Sequence, residues 1–373
     1  MQLHMQFDKR ELLDRAKRMF AGFDKPLALI VFLLLCVGIV TLYSASLDMP
    51  GRVEDQLRNI MLTFGLMWVL ANIPPQMLMR FAVPLYTVGV ALLVAVAAFG
   101  LTRKGAKRWL NVGVVIQPSE IMKIAMPLML AWYYQKRESN IRWWDYIVGF
   151  LILFLPVALI AKQPDLGTAL LVLAAGFFVI FFAGLPWKWL AGMGIALLAA
   201  MPVVWSVLHD YQRNRILTLL DPMSDPLGKG FHTLQSMIAI GSGGILGKGW
   251  MQGTQTHLEF IPERTTDFIF AVYSEEFGLV GNLLLVTLFF VLVARALAIA
   301  GNAATPFSRL LAASIAMILF TYAFVNMGMV SGILPVVGVP LPLISYGGTA
   351  LVTIGMACGM LMTIQRNRKL VQS

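Results

Sequence analysis

The polar side chains able to do chemistry stand at the ends of long apolar runs. Gln117, Pro118, Ser119 and Glu120 open one run, and Lys123 follows within it. Glu120 and Lys123 are spaced i,i+3, so a helix projects both from one face. A structural ion pair and a ligand site fit that spacing equally. The link from Lys162 to Thr168 contains Asp165, which suits a helix N-cap, a cation ligand or a partner for a basic side chain. The segment from His257 to Phe268 carries Glu259, Thr266 and Asp267 into another run. Thr266 or Asp267 reads first as a cap. The helix dipole there favours an ionised carboxylate, and a carboxylate kept charged at a membrane surface could act as a general base. Ser345 and Tyr346, just after Pro340 and Pro342, could line a pocket or simply pack.

The glycine-rich stretch Gly241 to Gly249 invites a nucleotide reading that its spacing refuses. A phosphate loop needs glycine where Ser242 stands and Ser or Thr where Gly249 follows Lys248. A backbone nest near a phosphate stays open. The four histidines, His4, His209, His232 and His257, show no metal spacing, and Cys36 and Cys358 lie in separate apolar runs, so no zinc site or disulfide framework is implied.

The elements that must position these residues follow from composition. The 373 residues are 58% hydrophobic and only 13% charged, with a mean hydropathy of +0.77. A soluble domain carries about 25% charged residues. The chain reads as an all-α integral membrane protein, and disorder, a coiled coil and a nucleic-acid binder are excluded. Ten spans are predicted, at 26–47, 57–73, 81–100, 118–135, 143–161, 166–185, 187–208, 267–294, 307–330 and 341–365. The eighth is long and contains Glu275 to Gly278, which predicts a kink or a split in two. One long, ordered loop, 209–266, lies between spans seven and eight. The whole, 1–373, is read as one polytopic domain with a polar N-terminus, 1–25, that is cytoplasmic or interfacial; Phe7 to Phe20 suits an amphipathic helix rather than a signal peptide.

The basic residues of the N-terminus, of the turn with Lys136, Arg137 and Arg142, and of the C-terminus fall on one side, which the positive-inside rule makes cytoplasmic. Of the 29 Lys and Arg, sixteen fall inside, twelve outside and Lys123 within a span. That bias is weak. Arg103, Lys104, Lys107 and Arg108 crowd one outer loop, and Arg213, Arg215, Lys229, Lys248 and Arg264 another. A different span count or an outward-facing site for an anion such as pyrophosphate accounts for them.

Five segments then occur in order: Gly105 to Trp109, Gln117 to Glu120 with Lys123, Gln163 to Gly167, Phe260 to Phe270, and Pro342 to Gly348. Together they resemble the SEDS family (shape, elongation, division and sporulation) of bacterial cell-wall proteins. Asp221 to Ser236, Ile240 to Gly244 and Gly253 to Thr256 resemble its elongation members more than its division members.

The resemblance implies a ten-span peptidoglycan glycosyltransferase of the bacterial cytoplasmic membrane, with both termini inside and the site facing outward. Its substrate would be lipid II. Its partners would be a class B penicillin-binding transpeptidase and other elongation-complex membrane proteins. It places the family's essential aspartate on Asp267, as the base in an inverting displacement of lipid pyrophosphate. Arg108 would neutralise the leaving group, with Lys123 a second candidate. Trp109 would sit against sugar or lipid, or in the aromatic belt, and Glu120, Asp165, Lys248, Glu259 and Ser345 complete the substrate-binding candidates. A divalent cation, magnesium or manganese, is expected, with Glu120 or Asp165 as ligands. The chain departs from the family at Asp55-Gln56, where many relatives have a base before the glutamine, and at Arg264-Thr265, where a histidine is common. A lipid II flippase and a non-catalytic scaffold for the transpeptidase are the rival readings.

Overall fold

The structure, a computed structural model, describes residues 23–103, 106–111, 115–138, 140–207, 213, 217, 229–258, 260–261 and 263–368. The predicted Phe7–Phe20 helix and the start of the long loop lie outside them.

Helices form where the apolar runs were read. In chain order they are α1 Lys25–Ala45, α2 Arg52–Asn72, α3 Pro75–Phe99, α4 Pro118–Gln135, α5 Trp143–Lys162, α6 Leu166–Phe182, α7 Trp187–Val207, α8 Lys229–Ser242, α9 Thr254–His257, α10 Ile269–Gly301, α11 Pro306–Val330 and α12 Gly348–Asn367. Six of them, α1, α3, α5, α10, α11 and α12, are long and apolar enough to cross a membrane. Their starts are chemically marked. Asp24 caps α1 through the amide of Leu27, Thr305 caps α11 through that of Ser308, and prolines open α3, α4 and α11.

α4 and α11 form the centre, with few exposed positions on either, and α6 and α12 pack against them. α12 lies along α2 at close range, because Gly348, Gly355 and Gly359 face Asn59, Thr63 and Met67; a Cβ at Gly359 would stand 2.6 Å from the Met67 carbonyl. Small residues permit that approach where lipid offers no hydrophobic drive.

Three departures from the sequence reading bear on the site. The chain is not all helix. A three-stranded antiparallel sheet, β1 Leu101–Arg103, β2 Ala106–Asn111 and β3 Val115–Ile116, joins α3 to α4. Leu101 pairs with Trp109, and Leu110 with Ile116. A hairpin satisfies its own backbone groups outside the bundle, where no helical neighbour can. Second, the last helix begins at Gly348 and not near 341; residues 331–347 fold back as an irregular, largely covered segment with Leu343 at φ 66°.

Third, the long connection is not a loop throughout. From Lys229 it contains α8 and α9, and α8 packs against α10 and α11, with the Ser236 hydroxyl donating to the Val330 carbonyl at 2.8 Å.

Of the kink and the split predicted for α10, the structure shows a break at Gly278. Gly278 adopts φ 63°, ψ −159°, a conformation open essentially to glycine alone. The glycine-rich stretch before α9 enters the gap. Lys248 and Gly249 donate their amides to the carbonyls of Glu275 and Glu276, at 3.0 Å each, and Gly244 and Ile245 accept from Leu279 and Val280 at 2.9 and 3.1 Å. The broken helix thus keeps its backbone paired, as burial among apolar neighbours demands.

Candidate functional site

Asp267 lies in a turn just before α10. The expected cap is absent. Phe268 is the N-cap of α10 and no side chain caps it, so Asp267 is released from that duty. Its backbone is held instead. The Asn326 amide of α11 donates to the Asp267 carbonyl at 2.8 Å and to the Val339 carbonyl at 2.7 Å. Ser345 donates its hydroxyl to the Thr266 carbonyl at 2.6 Å and accepts from the Leu341 amide at 2.8 Å. The Tyr346 amide donates to the Thr265 carbonyl at 2.9 Å. From α2, Arg52 donates to the Thr265 hydroxyl at 2.8 Å and lies over the Tyr346 ring, and Gln56 donates to the Ser345 carbonyl at 3.2 Å. Arg264 is turned away into the Ala45 carbonyl and the Asp48 carboxylate. The turn that carries Asp267 is therefore clamped by the segment before α12, while its half-buried carboxylate points at Gly338. A Cβ at Gly338 would stand 3.3 Å from Oδ2.

Gly338 joins this turn to a second group of residues. The link before α6 packs on the same segment, so close that a Cβ at Gly167 would stand 2.7 Å from the Val337 carbonyl and 3.2 Å from that of Gly338. Asp165 does cap α6, accepting from the Thr168 amide at 3.3 Å. It also accepts from Gln117 at 3.1 Å and faces the Arg108 guanidinium at 3.6 Å. Arg108 further donates to the carbonyls of Gln163, at 3.3 Å, and Pro164. Its side chain keeps 32% of its exposure, so the guanidinium is fixed yet reachable.

Glu120 and Lys123 form the i,i+3 pair their spacing allows, at 2.6 Å. Lys123 is 5% exposed and faces the Tyr322 ring at 5.4 Å, and Thr353 donates to Glu120 at 3.4 Å. The pair lies below Gln117 on the first turns of α4, in contact with α11 and α12.

The remaining candidates separate. Trp109 is half-buried on β2 beside Arg108. Ser345 braces the Asp267 turn with both of its hydrogen bonds. Lys248 belongs elsewhere, paired with Glu275 at 2.7 Å and with the Thr254 hydroxyl at 2.7 Å. Glu259 and Lys104 lie outside the described residues. Among the described residues no three His, Cys, Asp or Glu side chains come together as a metal site. Glu120 and Asp165 each already face a cation of the protein. A divalent ion on either carboxylate would have to compete with that cation. Arg52, Asn326 and Gly338 were not singled out from sequence, and Gln56 only as the glutamine at which the chain departs from the family pattern. Asn326, a polar residue inside an apolar run, carried the one signal that could have found it.

Comparison with known proteins shows the family and the fold. The family model described as cell cycle protein, FtsW/RodA/SpoVE, matches residues 25–370. The peptidoglycan glycosyltransferase MrdB of Escherichia coli strain K12 is 50% identical over 351 residues, 93% of this chain and 95% of that protein. A probable peptidoglycan glycosyltransferase FtsW of Geobacter sp. strain M18 is 35% identical over 364 residues, 93% of this chain and 98% of that protein. Among solved structures, a chain from a peptidoglycan synthase complex, studied for coordination of polymerization and crosslinking, superposes with a TM-score of 0.80 at 36% identity, covering 93% of this chain and 98% of that one. The rod shape determining protein RodA of Thermus thermophilus superposes with a TM-score of 0.70 at 30% identity, covering 93% and 97%. The chain is a membrane protein of the FtsW/RodA/SpoVE family.

Proposed function

We propose that this protein is a peptidoglycan glycosyltransferase that polymerises lipid II during cell elongation, with Asp267 as its general base and Arg108 as its pyrophosphate contact. The observation that carries the reading is the meeting at Gly338: the Asp267 carboxylate faces it from one side, and the link that anchors Arg108 packs on it from the other. A base and a fixed, reachable cation on one wall are what displacement of a lipid pyrophosphate needs.

In the reaction, the acceptor sugar hydroxyl gives its proton to Asp267 as its oxygen bonds to the anomeric carbon of the donor. The bond from that carbon to the phosphate oxygen breaks, and the electron pair leaves with undecaprenyl pyrophosphate. Arg108 balances the charge that develops there. One displacement inverts the configuration. Lys123, buried against Glu120, supports the wall electrostatically rather than reaching the surface.

We read the ten long helices as ten spans, in a bacterial cytoplasmic membrane, with both termini inside. Asp267, β2 and the described part of the long connection, 229–258, then face outward, where lipid II sugars are. The match to a chain of a peptidoglycan synthase complex supports a class B penicillin-binding transpeptidase as partner.

The test is polymer formation from lipid II by the purified protein with its transpeptidase, run beside Asp267→Ala and Asp267→Asn. Wild type should make polymer and both variants none. Arg108→Ala should retain polymer but raise KM for lipid II about tenfold, the loss of one charge-assisted contact. Polymer from Asp267→Ala at the wild-type rate would sink Asp267 as the base, and no polymer from folded, partner-bound wild type would move the weight to a scaffold or a flippase.

A further inference from the structure

The turn between α4 and α5 lies at the opposite end of the bundle from Asp267. α4 is 18 residues long, about 27 Å, and its first turns carry Glu120 and Lys123. At its far end Lys136, Arg137, Asn140, Arg142, Trp144 and Asp145 line an open cavity of about 390 Å³. The mechanism uses none of them.

The charges in this cavity are unbalanced. Asp145 is its one acid, and it is buried and already committed: it accepts from the Arg137 guanidinium, from the Tyr133 hydroxyl at 3.0 Å and from the Arg142 backbone amide at 2.8 Å. Lys136 has its ammonium over the Trp132 ring at 4.3 Å, and neither it nor the Arg142 side chain has a carboxylate partner among the described residues. Glu138, in the same turn, does not line the cavity. Three cations and Asn140 thus line a cavity whose one carboxylate is saturated.

A second, independent feature sets the depth. The indoles of Trp143 and Trp144 stack with centroids 3.6 Å apart and remain 50% and 59% exposed at the start of α5. Exposed indoles at a span end mark the headgroup level of a bilayer. A cavity at that depth, opening beside lipid-facing rings, is reached from the bilayer.

We propose that this cavity binds the phosphodiester headgroup of an anionic glycerophospholipid, such as phosphatidylglycerol, in the leaflet opposite the polymerisation site; placing that leaflet on the cytoplasmic side rests on the orientation proposed above. Lys136 and Arg142 hold the phosphate, Asn140 offers its amide to the glycerol portion, and the Trp143–Trp144 stack covers the lipid backbone. Arg137 stays with Asp145 and fixes the turn.

The test is native mass spectrometry of the full-length protein in neutral detergent, titrated with phosphatidylglycerol and, separately, phosphatidylcholine. The comparison protein is Lys136→Gln/Arg142→Gln, which keeps the backbone amide that Asp145 accepts. Each surface cation is worth roughly a fivefold change in anionic-lipid affinity. Wild type should therefore hold one phosphatidylglycerol about 25-fold more tightly than the double variant, and phosphatidylcholine should show no difference. The double variant should keep the wild-type melting temperature. Equal retention of phosphatidylglycerol by both proteins would overturn the proposal, as would displacement of the lipid by equimolar inorganic phosphate, which would assign the cavity to a soluble anion. Binding is read without lipid II turnover, so a failure here stays distinct from a failure of the polymerase reading.

Discussion

Asp267 and Glu275 stand eight residues apart across the head of α10, in opposite surroundings. Glu275 is fully buried and surrounded by donors: Lys248 at 2.7 Å, the Gln255 and Thr256 amides at 3.0 and 3.3 Å, and the Thr254 and Thr256 hydroxyls at 3.2 Å each. It ties α9 and the glycine-rich stretch to the break in α10. Asp267 is half-buried, its backbone is clamped by Asn326, and its Oδ2 faces a glycine. A carboxylate saturated with donors has no lone pair left for a substrate proton. One that must accept a proton needs a rigid backbone and room at the oxygen. The turn before α10 supplies one and the helix itself the other, and the neighbours decide which is which.

Removing each carboxylate should break two different properties. Asp267→Ala should cost about 10²- to 10⁴-fold in polymerisation, the usual contribution of a general base. Its melting temperature should fall less than that of Glu275→Ala, because the hydrogen bonds from Asn326 and Ser345 that clamp the turn run to backbone carbonyls the substitution leaves in place. Glu275→Ala should do the reverse. Breaking a buried, hydrogen-bonded charge pair costs about 3–5 kcal/mol, reduced here because Lys248 keeps 26% of its exposure. The protein should melt earlier, while the folded fraction still polymerises lipid II at a rate within about tenfold of wild type. Thermal melts in detergent beside the polymer gel measure both. A normal melting temperature for Glu275→Ala would show that Glu275 does not hold the break in α10 together.

Most of the helix pattern was legible because an apolar run of spanning length must be helical when no water can pair its backbone. The break at Gly278 was legible for the same reason, since Glu275-Glu276-Phe277-Gly278 interrupts such a run. What fills the break was not. The glycines from 241 to 249 could be tested against phosphate-loop spacing, and fail it, but their partner lies some thirty residues on and carries no local mark. The β1–β3 hairpin was lost among basic residues that read only as a loop, and the start of α12 was lost because Leu341, Leu343 and Ile344 are apolar although buried in an irregular turn. At the site, Asp165 and Glu120 with Lys123 could be paired or capped from spacing alone. That Asp165 meets Arg108, and that Asp267 is not a cap, needed tertiary contacts or the family resemblance.

The room in front of Asp267 can be narrowed without touching the carboxylate. Gly338 has φ 75°, where any side chain is strained by about 1–2 kcal/mol, and Gly338→Ala would set a methyl group 3.3 Å from Oδ2. The variant should lose about tenfold in kcat, a smaller effect than losing the base, and melt slightly earlier. Gly184→Ala is the control. It has φ 101° in a turn away from the site, and should carry the same strain with no loss of rate per folded protein. Equal losses from both would reduce the Gly338 effect to backbone strain.

The clamp itself offers the mildest perturbation. Ser345→Ala removes the hydroxyl that bridges the Thr266 carbonyl and the Leu341 amide and leaves both chain segments in place. Two buried backbone groups then lack a partner, at about 1–3 kcal/mol each before local adjustment. Other bonds between the same segments remain: Tyr346 to Thr265, Gln56 to Ser345, and Asn326 to Asp267 and Val339. The Asp267 turn should therefore loosen rather than come away. If rigidity of that backbone matters to catalysis, kcat should fall several-fold with KM for lipid II unchanged, because Arg108 is anchored on the other side of Gly338. A rise in KM at constant kcat would instead place the Ser345 hydroxyl in direct contact with substrate, and would make the clamp part of the binding surface.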